Sequence, residues 1–291
     1  MLKRRSDMLI GGIEAGGTKF VCAVGDSSGN ILEKTSFPTE GPKETLQEVK
    51  RFFSNHEITS LGVGSFGPID LDKESETFGT ILNTPKTKWK QFDLLNELKK
   101  AFQIPIFIDT DVSVACLGEY KYGAGRGVKS CLYITVGTGI GAGLVQEGEI
   151  FRGRNHSEMG HVFIQQHRED PYPGNCPSHK NCLEGLAAGP AIEHRYGAKG
   201  IALSGNDKVW EIEAFYLAQA IMNYTLVLSP ERIIIGGGVM KQEKLYDLIR
   251  EEFMKLMNGY LMIENIEQFI VAPALKDEQG VKGAIALGVN R

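Results

Sequence analysis

The chain is 291 residues long, 42% hydrophobic and 23% charged, with a formal net charge of −4. These values exclude a fibrous or disordered protein and leave enough apolar material for two lobes. They give no general electrostatic ground for binding nucleic acid or an anionic membrane, and no apolar run reaches the roughly 18–20 residues that span a bilayer.

Residues 1–7, MLKRRSD, are polar and basic and lack a signal-type apolar core. They read as an extended start or a frayed terminus, and the cytoplasm is the expected compartment. Three short strands follow, Leu9 to Ile13, Lys19 to Val24 and Ile31 to Phe37, joined by Gly-rich or Ser-Gly-Asn turns. Pro42 to Asn55 has helical spacing, with Leu46, Val49, Phe52 and Phe53 on one face. Next come a strand at Leu61 to Phe66, a helix at Phe92 to Phe102, a strand at Pro105 to Ile108 and a helix at Val112 to Tyr122. The second half opens like the first, with strands at Cys131 to Val136, Gly143 to Gln146 and Ile150. Helices are then expected at Leu183 to Tyr196, Lys208 to Leu228 and Lys241 to Met257, with a strand at Arg232 to Ile235 and a small-residue helix at Gly283 to Val289. Alternating strands and helices predict an α/β architecture. Residues 12–32 and 133–151 share one plan: strand, glycine turn holding a threonine, strand, polar turn, strand. That points to an internal duplication, against the plainer alternative of two unrelated hairpins.

Several segments carry residues suited to chemistry. In Glu14-Ala15-Gly16-Gly17-Thr18-Lys19, glycines let backbone amides approach an anion while Thr18 and Lys19 offer a hydroxyl and a charge. The spacing is not that of a Walker loop, and a plain hairpin turn is the alternative. Gly137-Thr138-Gly139-Ile140-Gly141 repeats the pattern, so two such turns could hold a triphosphate between them across a cleft. Ile106 to Asp111 ends an apolar strand in two carboxylates, Asp109 and Asp111, suited either to take a proton from an attacking hydroxyl or to cap the next helix. Gly236-Gly237-Gly238 after a strand allows a purine or ribose to lie against the backbone, or is merely a strand-to-helix turn.

The most specific pattern is His161, Cys176, His179 and Cys182, after Glu158-Met159-Gly160. Two thiolates and two imidazoles fill a tetrahedral zinc shell and leave no open position, so the metal would be structural. Satisfied polar loop residues are the alternative, and His156 and His167 are spare histidines that could compete as ligands. Cys22, Cys116 and Cys131 lie in apolar runs and read as core, not as a disulfide framework.

Together these motifs resemble the ROK family of sugar kinases and related repressors, within the actin, hexokinase and Hsp70 superfamily, from Gly11 to Val289. The EAGGTK loop is similar to the phosphate-1 loop, VGTGIGAG (136–143) to the phosphate-2 loop and IIIGGGV (233–239) to the adenosine segment. The CPSHKNC segment departs from the common CxCGxxGC and, with Glu14 in place of the usual Asp, resembles the fructokinase subgroup.

The resemblance implies a two-lobed actin/hexokinase-like (ribonuclease H-like) α/β fold, each lobe a mixed β-sheet flanked by helices. The first lobe would be residues 8–118 plus about 278–291, the second 119–277. It implies ATP-dependent phosphorylation of a hexose, most readily fructose to fructose 6-phosphate. The alternatives are glucokinase, mannokinase or N-acetylhexosamine kinase activity, or a non-catalytic sugar-sensing regulator. A repressor would need a DNA-binding module of tens of residues where seven precede the first strand.

By position, Asp111 is the implied catalytic base; Ser113 stands where the family usually has Asn. Gly16, Gly17, Thr18, Lys19, Thr138, Gly139, Gly237 and Gly238 would bind ATP, and Glu14 would face Mg²⁺ through water. Gly67, Pro68, Asn83, Asp111, Glu158, His161 and Glu184 would bind the sugar, His161 also joining Cys176, His179 and Cys182 on zinc. Partners would be ATP, a hexose and a second copy of the chain in a homodimer, with neither nucleic acid nor membrane.

Overall fold

The computed structural model describes residues 8–289, so the reading of residues 1–7 falls outside it. Strands β1 (Leu9–Ala15), β2 (Lys19–Gly25) and β3 (Ile31–Pro38) form an antiparallel meander. Helix α1 (Pro42–Phe53) starts on a proline, whose missing amide costs nothing in the first turn, and buries Leu46, Val49, Phe52 and Phe53. Strand β4 (Ile58–Ser65) then pairs parallel to β1. A small ribbon, β5 (Thr80–Ile81) and β6 (Phe92–Asp93), leads into α2 (Leu94–Ala101), where the Asp93 carboxylate accepts from the Asn96 amide at 3.1 Å. Strand β7 (Ile106–Thr110) pairs parallel to β4 and feeds α3 (Asp111–Tyr122).

The chain then builds a second sheet from β8 (Ser130–Val136), β9 (Ile140–Gln146) and β10 (Glu149–Ile150). The expected single helix over 183–196 is two, α4 (Leu183–Ala187) and α5 (Gly189–Tyr196). Pro190 in the first turn of α5 has no amide to continue an α ladder, and Ala188 turns extended at ψ 158°. Helix α6 (Asp207–Leu228), strand β11 (Arg232–Gly236), helices α7 (Lys244–Met257) and α8 (Ile266–Phe269), strand β12 (Ile270–Val271) and helix α9 (Gln279–Val289) complete the chain. The first sheet has the order β3-β2-β1-β4-β7 and the second β10-β9-β8-β11-β12. The same plan appears twice, as the paired segments 12–32 and 133–151 suggest.

Contacts divide the chain into two compact units. Among the described residues, the first holds everything up to Arg126, Gly143–Ser157 and everything from Ala274 onward; the second holds Gly127–Ala142 and Glu158–Pro273. Residues 119–126, 143–157 and 274–277, expected with the second lobe, group with the first unit. In that unit α9 lies directly on α3: a Cβ at Gly283 would stand 1.8 Å from the Val114 carbonyl oxygen. The small residues of α9 are therefore a packing requirement.

Candidate active site

In the first unit, parallel strands carry three loops to one sheet edge. Ala15 is in register with Ser65, and Ser65 with Thr110. The loops beyond them are Gly16 to Thr18, the 66–68 turn with Gly67 and Pro68, and the β7–α3 junction with Asp111. The Phe66 amide donates to the Ala15 carbonyl at 2.8 Å, tying the first two loops together. Thr39 holds the glycine loop open from outside: its hydroxyl donates to the Gly16 carbonyl at 2.6 Å and its amide to the Thr18 carbonyl at 2.9 Å. Thr18 and Lys19 are left exposed.

The alternative that Asp111 merely caps α3 does not hold. Thr110 is the cap, its hydroxyl accepting from the Ser113 amide at 3.2 Å, and Asp111 is the first helical residue. Asp109 is buried and spoken for. Its Oδ1 accepts the Thr110 amide at 2.8 Å, and its Oδ2 pairs with the guanidinium of Arg152, which donates through Nε at 2.8 Å and through Nη2. Asp109 thus fixes the turn and leaves Asp111 as the half-buried carboxylate of the pair.

Glu14, at the end of β1, sits beside Gly280 in the first turn of α9, its carboxyl carbon 2.4 Å from where a Cβ at Gly280 would be. Burial first, then the Asp111 charge, pushes its pKa up to about 7, with Lys19 pulling the other way. Because the folded-state value lies above the ordinary 4.5 of a glutamate, the neutral carboxyl stabilises the fold fully below about 4.5, and this contribution is lost as pH rises through 7. In metal-free buffer the stability advantage of the wild type over Glu14→Gln should shrink by about 1 kcal/mol between pH 6 and 8. Urea midpoints at both pH values check this, and a pH-independent difference would refute it.

In the second unit, the β8–β9 turn holds Thr138 exposed, and the Gly137 amide donates to the Gly139 carbonyl at 2.9 Å. Glu184, expected on the sugar, also supports this turn: its Oε2 accepts the Ile140 amide at 2.9 Å. After β11, Gly237 has φ +98°, and a Cβ there would stand 2.3 Å from the Val136 carbonyl oxygen, so only glycine fits. Glu158 is exposed, and its carbonyl accepts the His161 amide at 3.0 Å.

His161, Cys176, His179 and Cys182 have donor atoms all within 4.8 Å of one another. Cys176 Sγ lies 3.7 Å from His161 Nδ1 and 3.8 Å from His179 Nδ1, and Cys182 Sγ 3.5 Å from His161 Nδ1. A tetrahedral zinc with ordinary Zn–S and Zn–N bonds sets that edge at ~3.6 Å, so the quartet fits the ion. Burial pushes the Cys182 thiol up to about 11, the expected state of such a sulfur before a cation draws off its proton. The spare histidines are engaged elsewhere: His156 Nδ1 lies 3.4 Å from the Thr110 hydroxyl, and His167 Nδ1 accepts the Glu169 amide at 3.2 Å. Asp170, buried between Arg195 Nε at 3.0 Å and the Tyr216 hydroxyl at 2.6 Å, anchors the loop between the first histidine and the first cysteine.

Two first-unit residues escaped the sequence reading. Arg152 follows a two-residue strand in a polar stretch, with no periodicity to mark it. Lys86 is exposed near the glycine loop, its Cε 3.5 Å from a Cβ placed on Gly17; its place in the NTPKTK stretch beside Asn83 was the available signal. Asn83 is exposed in the same segment.

The ROK family model matches residues 10–291. A fructokinase of Streptococcus mutans is 46% identical over 285 residues, covering 96% of this chain and 95% of that protein. A putative fructokinase of Bacillus subtilis is 48% identical over 283 residues, with 96% and 95% covered. Among solved structures, a ROK hexokinase from Thermus thermophilus superposes with a TM-score of 0.82 at 26% identity, over 97% of this chain and 98% of that one. A family match over nearly the whole chain, with relatives at 46% and 48% identity that are themselves covered to 95%, places this chain in the ROK family.

Proposed function

We propose that this protein is an ATP-dependent hexose kinase acting on fructose to give fructose 6-phosphate. One observation supports the reading: Asp111 is the first helical residue of α3, behind the Thr110 cap, at the same strand edge as the Gly16–Thr18 loop. The fructokinases at 46% and 48% identity support the choice of sugar.

In this reading the terminal hydroxyl of the sugar attacks the γ-phosphorus and Asp111 accepts its proton. A new O–P bond forms, the bond to the β–γ bridging oxygen breaks, and ADP leaves. Gly16, Gly17, Thr18, Lys19, Thr138 and Gly139 hold phosphate oxygens, and Gly237 and Gly238 hold the nucleoside. Glu14 is the carboxylate that would hold Mg²⁺ arriving with ATP, and the ion would supply charge neutralisation. Gly67, Pro68, Asn83, Glu158, His161 and Glu184 orient the sugar, so that most of the rate gain comes from positioning. His161, Cys176, His179 and Cys182 would hold zinc, which would supply a structural crosslink.

A homodimer in the cytoplasm completes the reading. It is supported by the family resemblance and by the absence, among the described residues, of any helix long and apolar enough to cross a membrane. An ADP-release assay with fructose, mannose, glucose and N-acetylglucosamine tests the function. Fructose should lead in kcat/KM by at least about tenfold, since buried donors and acceptors discriminate hydroxyl patterns strongly. Preference for another hexose would move the assignment within the family, and no sugar-dependent ADP release would leave a sugar sensor.

A further inference from the structure

Glu119 lies one turn from the end of α3, is fully buried, and gathers five backbone amides. Its carbonyl accepts from Gly123 and Gly125, each at 2.9 Å. Its carboxylate accepts from Ala124 at 2.7 Å and Ala274 at 3.1 Å on Oε2, and from Leu275 at 3.0 Å on Oε1. The chain first leaves the first unit after Arg126, returns to it over Gly143–Ser157, and returns for the last time at Ala274. One side chain therefore holds the last peptides before one crossing and the first peptides after another. Two neighbours are shaped around it: a Cβ on Gly123 would stand 2.0 Å from Glu119 Oε2, and 2.9 Å from the Leu275 side chain.

We propose that Glu119 is a positioning residue for phosphoryl transfer. Asp111 and Glu119 occupy the two ends of α3, and α3 is fixed to α9 by the glycine contact at 283, so base and clamp belong to one rigid piece. The carboxylate thereby holds the end of α3 opposite Asp111 against the segment that leads into α9, and the helix that carries the base is held at both ends. Backbone amides buried without an acceptor are costly, so the arrangement depends on both carboxylate oxygens.

Glu119→Gln keeps the size and replaces one acceptor with a donor, which leaves at least one of the three amides facing an N–H. By hydrogen exchange with mass spectrometry, peptides covering Ala124, Ala274 and Leu275 should exchange at least about tenfold faster, while β1 and β4 stay unchanged. The kinetic arm rests on the kinase reading: kcat should fall at least about tenfold with the ATP KM within about threefold, as for lost orientation with retained binding. Unaltered exchange at Ala274 and Leu275 overturns the clamp whatever the substrate proves to be. Faster exchange with unchanged kcat overturns the positioning role and leaves a purely structural carboxylate. Should Glu119→Gln not fold, Glu119→Asp, which keeps the charge and shortens the reach by one methylene, carries the same two measurements.

Discussion

Asp111→Asn should lower kcat for sugar phosphorylation about a thousandfold, the range expected when a positioned general base is lost, while sugar affinity stays within a few-fold. The amide has the shape of the carboxylate and still donates and accepts hydrogen bonds, so the sugar keeps most of its contacts. What is lost is a group able to take the hydroxyl proton. Folding should be little changed, because Thr110 caps α3, the amide oxygen of Asn can still accept the Val112 amide that Asp111 Oδ1 accepts at 2.8 Å, and the charge lost from the first turn is worth about 0.3–1 kcal/mol. Thermal unfolding should confirm intact protein, and isothermal titration with fructose should give the affinity. A variant that retains a tenth of wild-type kcat would remove Asp111 as the base. Asp109→Asn separates the two carboxylates. It leaves the Arg152 guanidinium facing an uncharged side chain in a buried site, so it should cost stability as well as turnover.

The parts of this molecule legible in its sequence were those written in local order. Strand alternation, the glycine turns and the helix faces needed only neighbours within a few residues, and the Cys/His quartet only a spacing rule. Asp111 could not be told from a helix cap on sequence alone, because both uses call for a carboxylate at a strand end; the Thr110 hydroxyl decided it. The split at Ala188 was available in Pro190 but was overridden by continuous apolar spacing on either side.

What stayed hidden was contact between residues far apart in the chain. Arg152 reaches Asp109 across 43 positions, and Glu119 reaches Ala274 across 155. The glycines of α9 looked like weak helix formers until α3 was seen lying against them. Gly280 makes room for the Glu14 carboxyl from the other end of the sequence, which no periodicity could announce.

Removal of zinc should lower the melting temperature on the order of 10 °C and raise the sugar KM about tenfold or more, with one zinc per chain found by metal analysis beforehand. The local frame shows why stability and sugar binding should fall together. Cys182 directly precedes α4, where Glu184 Oε2 accepts the Ile140 amide, and a Cβ on Gly160 would stand 1.7 Å from the Ile140 carbonyl oxygen. The ion would thus hold His161 and Cys182 together on either side of the peptide that begins β9, with Glu158 presented from the same turn. Without it, two buried thiols and two imidazoles lose the charge that makes them a cluster, and the loop from 161 to 182 is left to Asp170 and its partners. Protons compete for the same donors. With the Cys182 thiol pushed up to about 11 by burial, zinc release to a chromogenic chelator should be much faster at pH 5.5 than at 7.5. Cys182→Ser should reproduce the chelated state at neutral pH. If the purified protein holds no zinc, or if chelation leaves both melting and sugar KM where they were, the quartet is only a polar turn and the sugar loop must be ordered by other means.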